Sequence, residues 1–226
     1  MTRQIVLDTE TTGLSATQGH RLIEIGCLEM INRRMTKNYF HYYLNPKRTI
    51  DADAIKVHGL DEKFLADKPI FSEIAENLFQ YLVGAELIIH NAPFDLSFLN
   101  AEFSRFQTGY SPITKHCAIT DTLVMARRKH PGQQNTLDAL CRRYRIDNKH
   151  RELHGALKDA ELLAQVYLRM TGGQTQLFAA DMTELNTEPT RHVATPITHR
   201  KKNLRVIRAT ELELKAHHDF LAEIGG

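Results

Sequence analysis

The sequence predicts an α/β fold: a mixed β-sheet flanked by helices, followed by a tail of different character. Three observations predict it. Apolar runs with strand patterning fill residues 4–8, 22–31 and 39–44 before any helical periodicity appears. From residue 70 onward, one further strand pattern is interleaved with helical ones, which is the signature of helices packed on a sheet. Beyond Gly173 the large aliphatic side chains become sparse.

Residues 4–8 hold Ile5, Val6 and Leu7 in a row, as in a buried strand. Residues 22–31 and 39–44, rich in isoleucine and aromatics, read as a hairpin joined through the polar stretch 32–38. Ile74, Leu78 and Leu82 recur at helical spacing within 70–82. Residues 87–90 are a fourth strand. Pro93 then sits in the first turn of a helix running to Phe106, where its missing N–H costs nothing. Further helices are expected over 122–129, 136–144 and 156–171, the last ended by Gly172 and Gly173.

Composition excludes several classes. The chain has 226 residues, 42% of them hydrophobic, enough for one core-forming domain and an appendage. The formal charge of +2 argues neither for nor against nucleic acid, because a basic groove can hide in a balanced total. Cys27, Cys117 and Cys141 form no C-x-x-C pair, so a reducing cytoplasm fits better than a disulfide framework or a zinc ribbon. The pairs His116-Cys117 and His217-His218 also lack zinc-site spacing. No apolar run reaches membrane-spanning length, and the N-terminus shows no signal-peptide core.

The chemistry concentrates in three segments, IVLDTETTG, IIHNAPFD and LHGALKD. Asp8 and Glu10 have period-two spacing, so both carboxylates point to one side of an extended chain, where an apolar strand gives way to a Thr-Thr-Gly turn. Alone, such a pair reads more readily as two solvated surface acids. Asp95 lies in the first turn of a helix and shares its apolar side with Phe98 and Leu99; favourable interaction with the helix dipole is the alternative explanation. Asp159 shares a stripe with Leu163, Val166 and Met170, which places a charge on the core-facing side. His154 precedes that helix on a loop, and a histidine side chain can accept a proton from water. Four carboxylates and one histidine are the set needed to hold two hard divalent cations, magnesium or manganese, beside a phosphodiester and to deprotonate a water.

These motifs, in this order, resemble the DEDDh family of 3′–5′ exonucleases, whose fold is ribonuclease H-like. The likeness covers residues 4–173 through DTETTG, VHGL, HNAPFD, NTLDALC and LHGALKDAELLA. Within the family it is greatest to the proofreading subunits of bacterial replicative DNA polymerases. The resemblance implies that Asp8, Glu10 and Asp159 hold the ion at the attacking water. Asp8 also bridges to a second ion whose site Asp95 completes, and His154 is the general base. It further implies that Thr11, Gly13, Leu14 and His58, with Asp53 from the loop before VHGL, line the terminal nucleotide beside Asp8, Glu10 and Asp159. Nucleoside 5′-monophosphates would leave one at a time from a DNA 3′ end.

The clusters Arg127-Arg128-Lys129-His130 and Arg142-Arg143-Tyr144-Arg145 read either as phosphate contacts or as solvated helix faces. Residues 174–178, QTQLF, resemble the pentapeptide by which replication proteins enter a pocket on the sliding (beta) clamp, with Gln174, Leu177 and Phe178 as contacts. Residues 179–203 are polar and proline-containing and read as a flexible linker. Residues 204–226, with a strand-like 204–208 and an amphipathic helix over 211–224, resemble the tail that docks a proofreading subunit on the polymerase catalytic (alpha) subunit. The expected function is therefore proofreading within a cytoplasmic, nucleoid-associated bacterial replisome. A stand-alone exonuclease trimming RNA or single-stranded DNA is the alternative. A tethering module joining clamp and polymerase is a third reading, made improbable by the presence of all five catalytic residues.

Overall fold

The computed structural model describes residues 2–148, 153–172 and 210–224. They fall into two units, Met1–Ala180 and Asp181–Gly226. The proposed clamp motif at 174–178, the linker at 179–203 and the strand-like 204–208 lie outside the described residues.

In the first unit a five-stranded mixed sheet has the order β3-β2-β1-β4-β5. Its strands are β1 (Arg3–Thr11), β2 (Leu22–Ile31), β3 (Arg34–Tyr43), β4 (Glu86–Ile89) and β5 (Ala118–Asp121). β1 pairs antiparallel with β2 and parallel with β4. Its central place explains its sequence, since Ile5, Val6 and Leu7 are wholly buried between two helical layers. Ile5 and Leu7 belong to a core completed by α3 (Phe71–Leu82) and α4 (Ala92–Phe106). Val6 belongs to the core on the other face, under α5 (Thr122–Lys129), α6 (Leu137–Tyr144) and α7 (Ala156–Thr171).

Four expectations are corrected. β1 continues through Thr11, three residues past the expected end, because Thr9, Glu10 and Thr11 still pair with β2. The hairpin turn is Asn32-Arg33 alone, both at positive φ (49° and 64°), as a tight primed turn requires. β3 therefore starts at Arg34, and its exposed edge position tolerates the polar residues that had read as a loop. The segment before VHGL is helical, α1 (Ala52–His58), followed by the short α2 (Glu62–Leu65). β5 was not anticipated; only four residues long, it pairs in parallel with β4. Helices α3 to α7 lie where their periodicity placed them, and Pro93 occupies the first turn of α4.

α7 approaches the sheet unusually closely. A Cβ added to Gly26 of β2 would lie 2.2 Å from the amide nitrogen of Leu157 and 2.4 Å from the carbonyl carbon of Ala156. Gly26 is the cross-strand partner of Asp8, so the first turn of α7 rests on bare backbone beside that carboxylate.

In the second unit α8 (Glu211–Ile224) is a helix with a reciprocal cap: the Thr210 N–H donates to Glu213 Oε2 at 2.8 Å, and the Glu213 N–H to Thr210 Oγ1 at 3.4 Å. Its Leu212 and Leu214 are exposed. No described helix is long and apolar enough to cross a membrane.

The Gly26 contact generates a test. Gly26→Ala should lower stability by about 1–3 kcal/mol, the usual cost of an overpacked contact, and should reduce cleavage as α7 is pushed outward. An unchanged melting temperature and rate would show that the helix start yields freely.

Candidate active site

The carboxyl ends of β1 and β4 and the N-terminal turns of α4 and α7 open onto one cleft of about 640 Å³, lined by Asp8, Glu10, Asp95, His154 and Asp159 among others. All five residues singled out in the sequence thus face one space. Alternation along β1 puts Asp8 and Glu10 on the same face as Val6, beneath α7. Thr9 faces the other way, and its hydroxyl donates to Asp95 Oδ1 at 2.7 Å. Both faces of one strand therefore serve the site.

Asp159 is buried in the first turn of α7, where the helix dipole favours a carboxylate. His154 Nδ1 lies 3.2 Å from Asp159 Oδ2. The His154 N–H donates to the Val57 carbonyl at 3.1 Å, which ties the histidine loop to the end of α1. Donor atoms of Glu10, His154 and Asp159 all lie within 4.8 Å of one another, close enough to surround one cation. Asp95 is buried too, and burial pushes its carboxyl up to about 7 despite the opposing Thr9 hydrogen bond.

A second cavity of about 500 Å³ adjoins the first and shares Thr9, Glu10 and Phe94 with it. Thr11, Gly13, Leu14, Asp53, Val57 and His58 line it. His58 is buried, and its Nδ1 accepts the Leu60 N–H at 3.0 Å. Burial holds the ring below its usual pKa, against the pull of the Glu24 carboxylate and the Thr11 backbone. The neutral ring therefore carries its hydrogen on Nε2, which lies by the Thr11 backbone but has no well-formed partner among the described residues. Asp53 lies in the first turn of α1 instead of in a loop, exposed and paired with Lys56 at 2.6 Å. Leu14 projects almost wholly into solvent at the rim.

Several residues escaped the sequence reading. Glu24, the buried cross-strand partner of Glu10, lies 2.8 Å from His41 Nε2. A charge inside an apolar strand run was the available signal. Phe94 stands where the two cavities meet. Asp121 joins the two walls of the cleft by accepting from the N–H groups of Leu123 and Val124 in α5 and of Asn91 and Ala92 at the start of α4. All three cysteines are buried, and burial raises the thiols of Cys27 and Cys117, so both are protonated.

Residues 5–167 match the family model described as Exonuclease. The DNA polymerase III subunit epsilon of Pasteurella multocida (strain Pm70) is 50% identical over 224 residues, covering 97% of this chain and 88% of the relative. The protein of the same name from Escherichia coli (strain K12) is 47% identical over 233 residues, covering 100% of this chain and 96% of its own. Among solved structures, exonuclease X in complex with 5′ overhanging duplex DNA superposes with a TM-score of 0.58 at 23% identity, covering 76% of this chain and 92% of that one. Exonuclease I in its apo form gives 0.64 at 16% identity, covering 81% and 45%. These two likenesses show the fold.

Burial of Asp95 gives the second test. Its folded pKa lies above its unfolded one, so the neutral form is preferred in the fold. Stability of the ion-free chain should therefore fall as pH rises from about 4 through about 7. In EDTA, Asp95→Asn should melt later than wild type at about pH 8, by roughly 1–3 kcal/mol, and converge with it at about pH 4.5. An equal gap at both pH values would contradict the assignment.

Proposed function

Because the chain belongs to the Exonuclease family and, within it, to the DNA polymerase III epsilon subunits, we infer that it is the proofreading 3′–5′ exonuclease of a bacterial replicative DNA polymerase. It removes mispaired 3′-terminal nucleotides as 5′-monophosphates. The observation that carries the reading is that five residues from three distant segments line one cleft, in a chain about half identical to those relatives over nearly its full length.

The family depends on divalent metal ions, and the residues present fit them. Four carboxyl groups and a histidine offer mainly hard oxygen donors, which suit magnesium or manganese better than zinc. Asp8, Glu10 and Asp159 would hold one ion, and Asp8 with Asp95 a second. When bound, two such ions would lower the pKa of a water and neutralise charge on the phosphate and the leaving oxygen.

The chain's own residues do the rest. A hydrogen on His154 Nδ1 donated to Asp159 presents Nε2 as the acceptor for the proton of the attacking water. The water adds to phosphorus opposite the 3′-oxygen of the penultimate nucleotide, the P–O3′ bond breaks, and that oxygen leaves with the shortened strand. The terminal nucleoside lies in the second cavity, against Leu14 and Val57, with the Thr11 and Gly13 backbone beside it. His58 Nε2–H serves as a hydrogen-bond donor to it, and Asp53 lies at the rim of the same cavity.

Partners follow from the tail. Residues 204–226 dock on the polymerase catalytic (alpha) subunit, and Gln174, Leu177 and Phe178 enter the sliding (beta) clamp. The linker at 179–203 lets both engage at the cytoplasmic replisome at high effective concentration. The full-length identity to epsilon subunits supports this assembly over a free exonuclease.

His154→Ala should lower turnover on a single-stranded oligonucleotide by about 10²–10⁴-fold, and Asp159→Asn should abolish it with the fold retained. EDTA should silence the wild type, and magnesium or manganese restore it. Full activity in EDTA would refute the two-ion reading. Deleting everything after Gly173 should leave single-strand cleavage intact and end co-purification with the polymerase catalytic subunit. Retained association would remove the docking role from the tail.

A further inference from the structure

The two cavities share Thr9, Glu10 and Phe94 and then diverge. One runs toward residues 51–58, where the reading above seats the terminal nucleoside. The other runs beneath the ends of β4 and β5 and along α5, where the remainder of the strand must lie. Resting on that reading, we propose that Arg127 grips the phosphate on the 5′ side of the scissile linkage and so fixes the entry track of the strand.

Charge makes the case first. Carboxylates dominate the cleft, and Asp138 adds another to those already named. A polyanion entering here needs a cation apart from the ions at the reacting phosphate. Among the described residues, Arg127 is the single lysine or arginine lining either cavity.

Three of its basic neighbours are otherwise engaged. Lys129 Nζ donates to the Met170 carbonyl at the end of α7. Arg143 donates to Asn135 Oδ1 at 3.1 Å and to the Gln134 carbonyl at 2.8 Å. His130 Nε2 meets the Tyr144 hydroxyl at 2.8 Å. Those members of the two basic clusters are structural, whereas the Arg127 guanidinium makes no hydrogen bond or ion pair with a described residue.

The surroundings are preorganised. Asn135 is buried and donates to the carbonyls of His130 and Gln133, so the wall opposite α5 is held from within. His90, on the same wall as Arg127, meets the Thr122 hydroxyl at 3.0 Å. Burial and, to a smaller degree, the nearby Arg127 charge keep its ring neutral, leaving the guanidinium as the cation there.

The test compares full-length wild type with Arg127→Gln, Arg127→Lys and Arg128→Gln. A thymidine oligonucleotide supplies the upstream phosphate; the nitrophenyl ester of thymidine 5′-monophosphate lacks it. Arg127→Gln should raise KM for the oligonucleotide by about 3–30-fold and flatten the salt dependence of its binding in EDTA by about 0.7 of a log–log unit, the worth of one single-strand phosphate contact. Hydrolysis of the ester should not change. Arg127→Lys should recover much of the loss, and Arg128→Gln should behave as wild type. An unaltered oligonucleotide KM and salt slope in Arg127→Gln would overturn the proposal while leaving the exonuclease reading intact. So would an equal loss on both substrates, because that would place Arg127 at the reacting centre. Failure of the wild type to hydrolyse either substrate would overturn the exonuclease reading, and this proposal with it.

Discussion

Gly26 of β2 lies under the first turn of α7, and the composition of the cleft depends on that approach. α7 carries Asp159 in its opening turn, and the loop before it carries His154. The side chains they must meet, Asp8 and Glu10, stand on the neighbouring strand, and Asp8 pairs with Gly26 itself. A Cβ at position 26 would lie 2.2 Å from the Leu157 nitrogen, so a side chain there would push the start of the helix away from Asp8. Apolar packing then fixes the approach: Leu163, Val166 and Met170 bury the same helix face against the core that holds Val6, Leu28 and Met30. The apolar stripe and the catalytic stripe are one surface, which is why a charged residue could sit within it.

That arrangement concentrates like charge. Glu10, Glu24, Asp95 and Asp159 are all buried near one another's strands or helix starts, and buried carboxylates are costly unless partnered. The fold answers each locally: Thr9 supplies a hydrogen bond to Asp95, His41 stands against Glu24, and the dipole of α7 favours Asp159. Protonation is a further outlet, and burial raises the Asp95 carboxyl to about 7. A site held in this state is destabilising by itself and becomes favourable when cations enter. Stability and catalysis are therefore coupled through Glu10, Asp95 and Asp159, which are both buried and placed at the site.

Much of this was legible in the sequence, for identifiable reasons. Helices α3 to α7 have long apolar periodicities or clear stop signals, and the acids interrupt those periodicities in ways that only chemistry explains. What stayed hidden was short or depended on a partner. β5 has four residues and no contrast with its flanks. In α1 only His58 is buried, so no stripe marks it as a helix and Asp53 read as a loop residue. The turn at Asn32-Arg33 uses positive φ without a glycine, which blurred the start of β3. Gly26 was visible as a glycine inside an apolar strand, a known sign of close backbone approach, but what approaches it is a helix 130 positions later. The roles of the basic clusters could not be separated by charge alone; hydrogen bonding assigns Lys129 and Arg143 to the scaffold.

The central claim is that Asp8, Glu10, Asp95 and Asp159 hold divalent cations beside a nucleotide seated between Leu14 and His58. Anomalous scattering from crystals grown with manganese and thymidine 5′-monophosphate tests it most directly. The account predicts manganese peaks among those four carboxylates, with the nucleoside in the cavity lined by Thr11, Leu14 and His58. Crystals in which manganese binds elsewhere, or in which the nucleotide occupies another surface while the carboxylates stay empty, would contradict it.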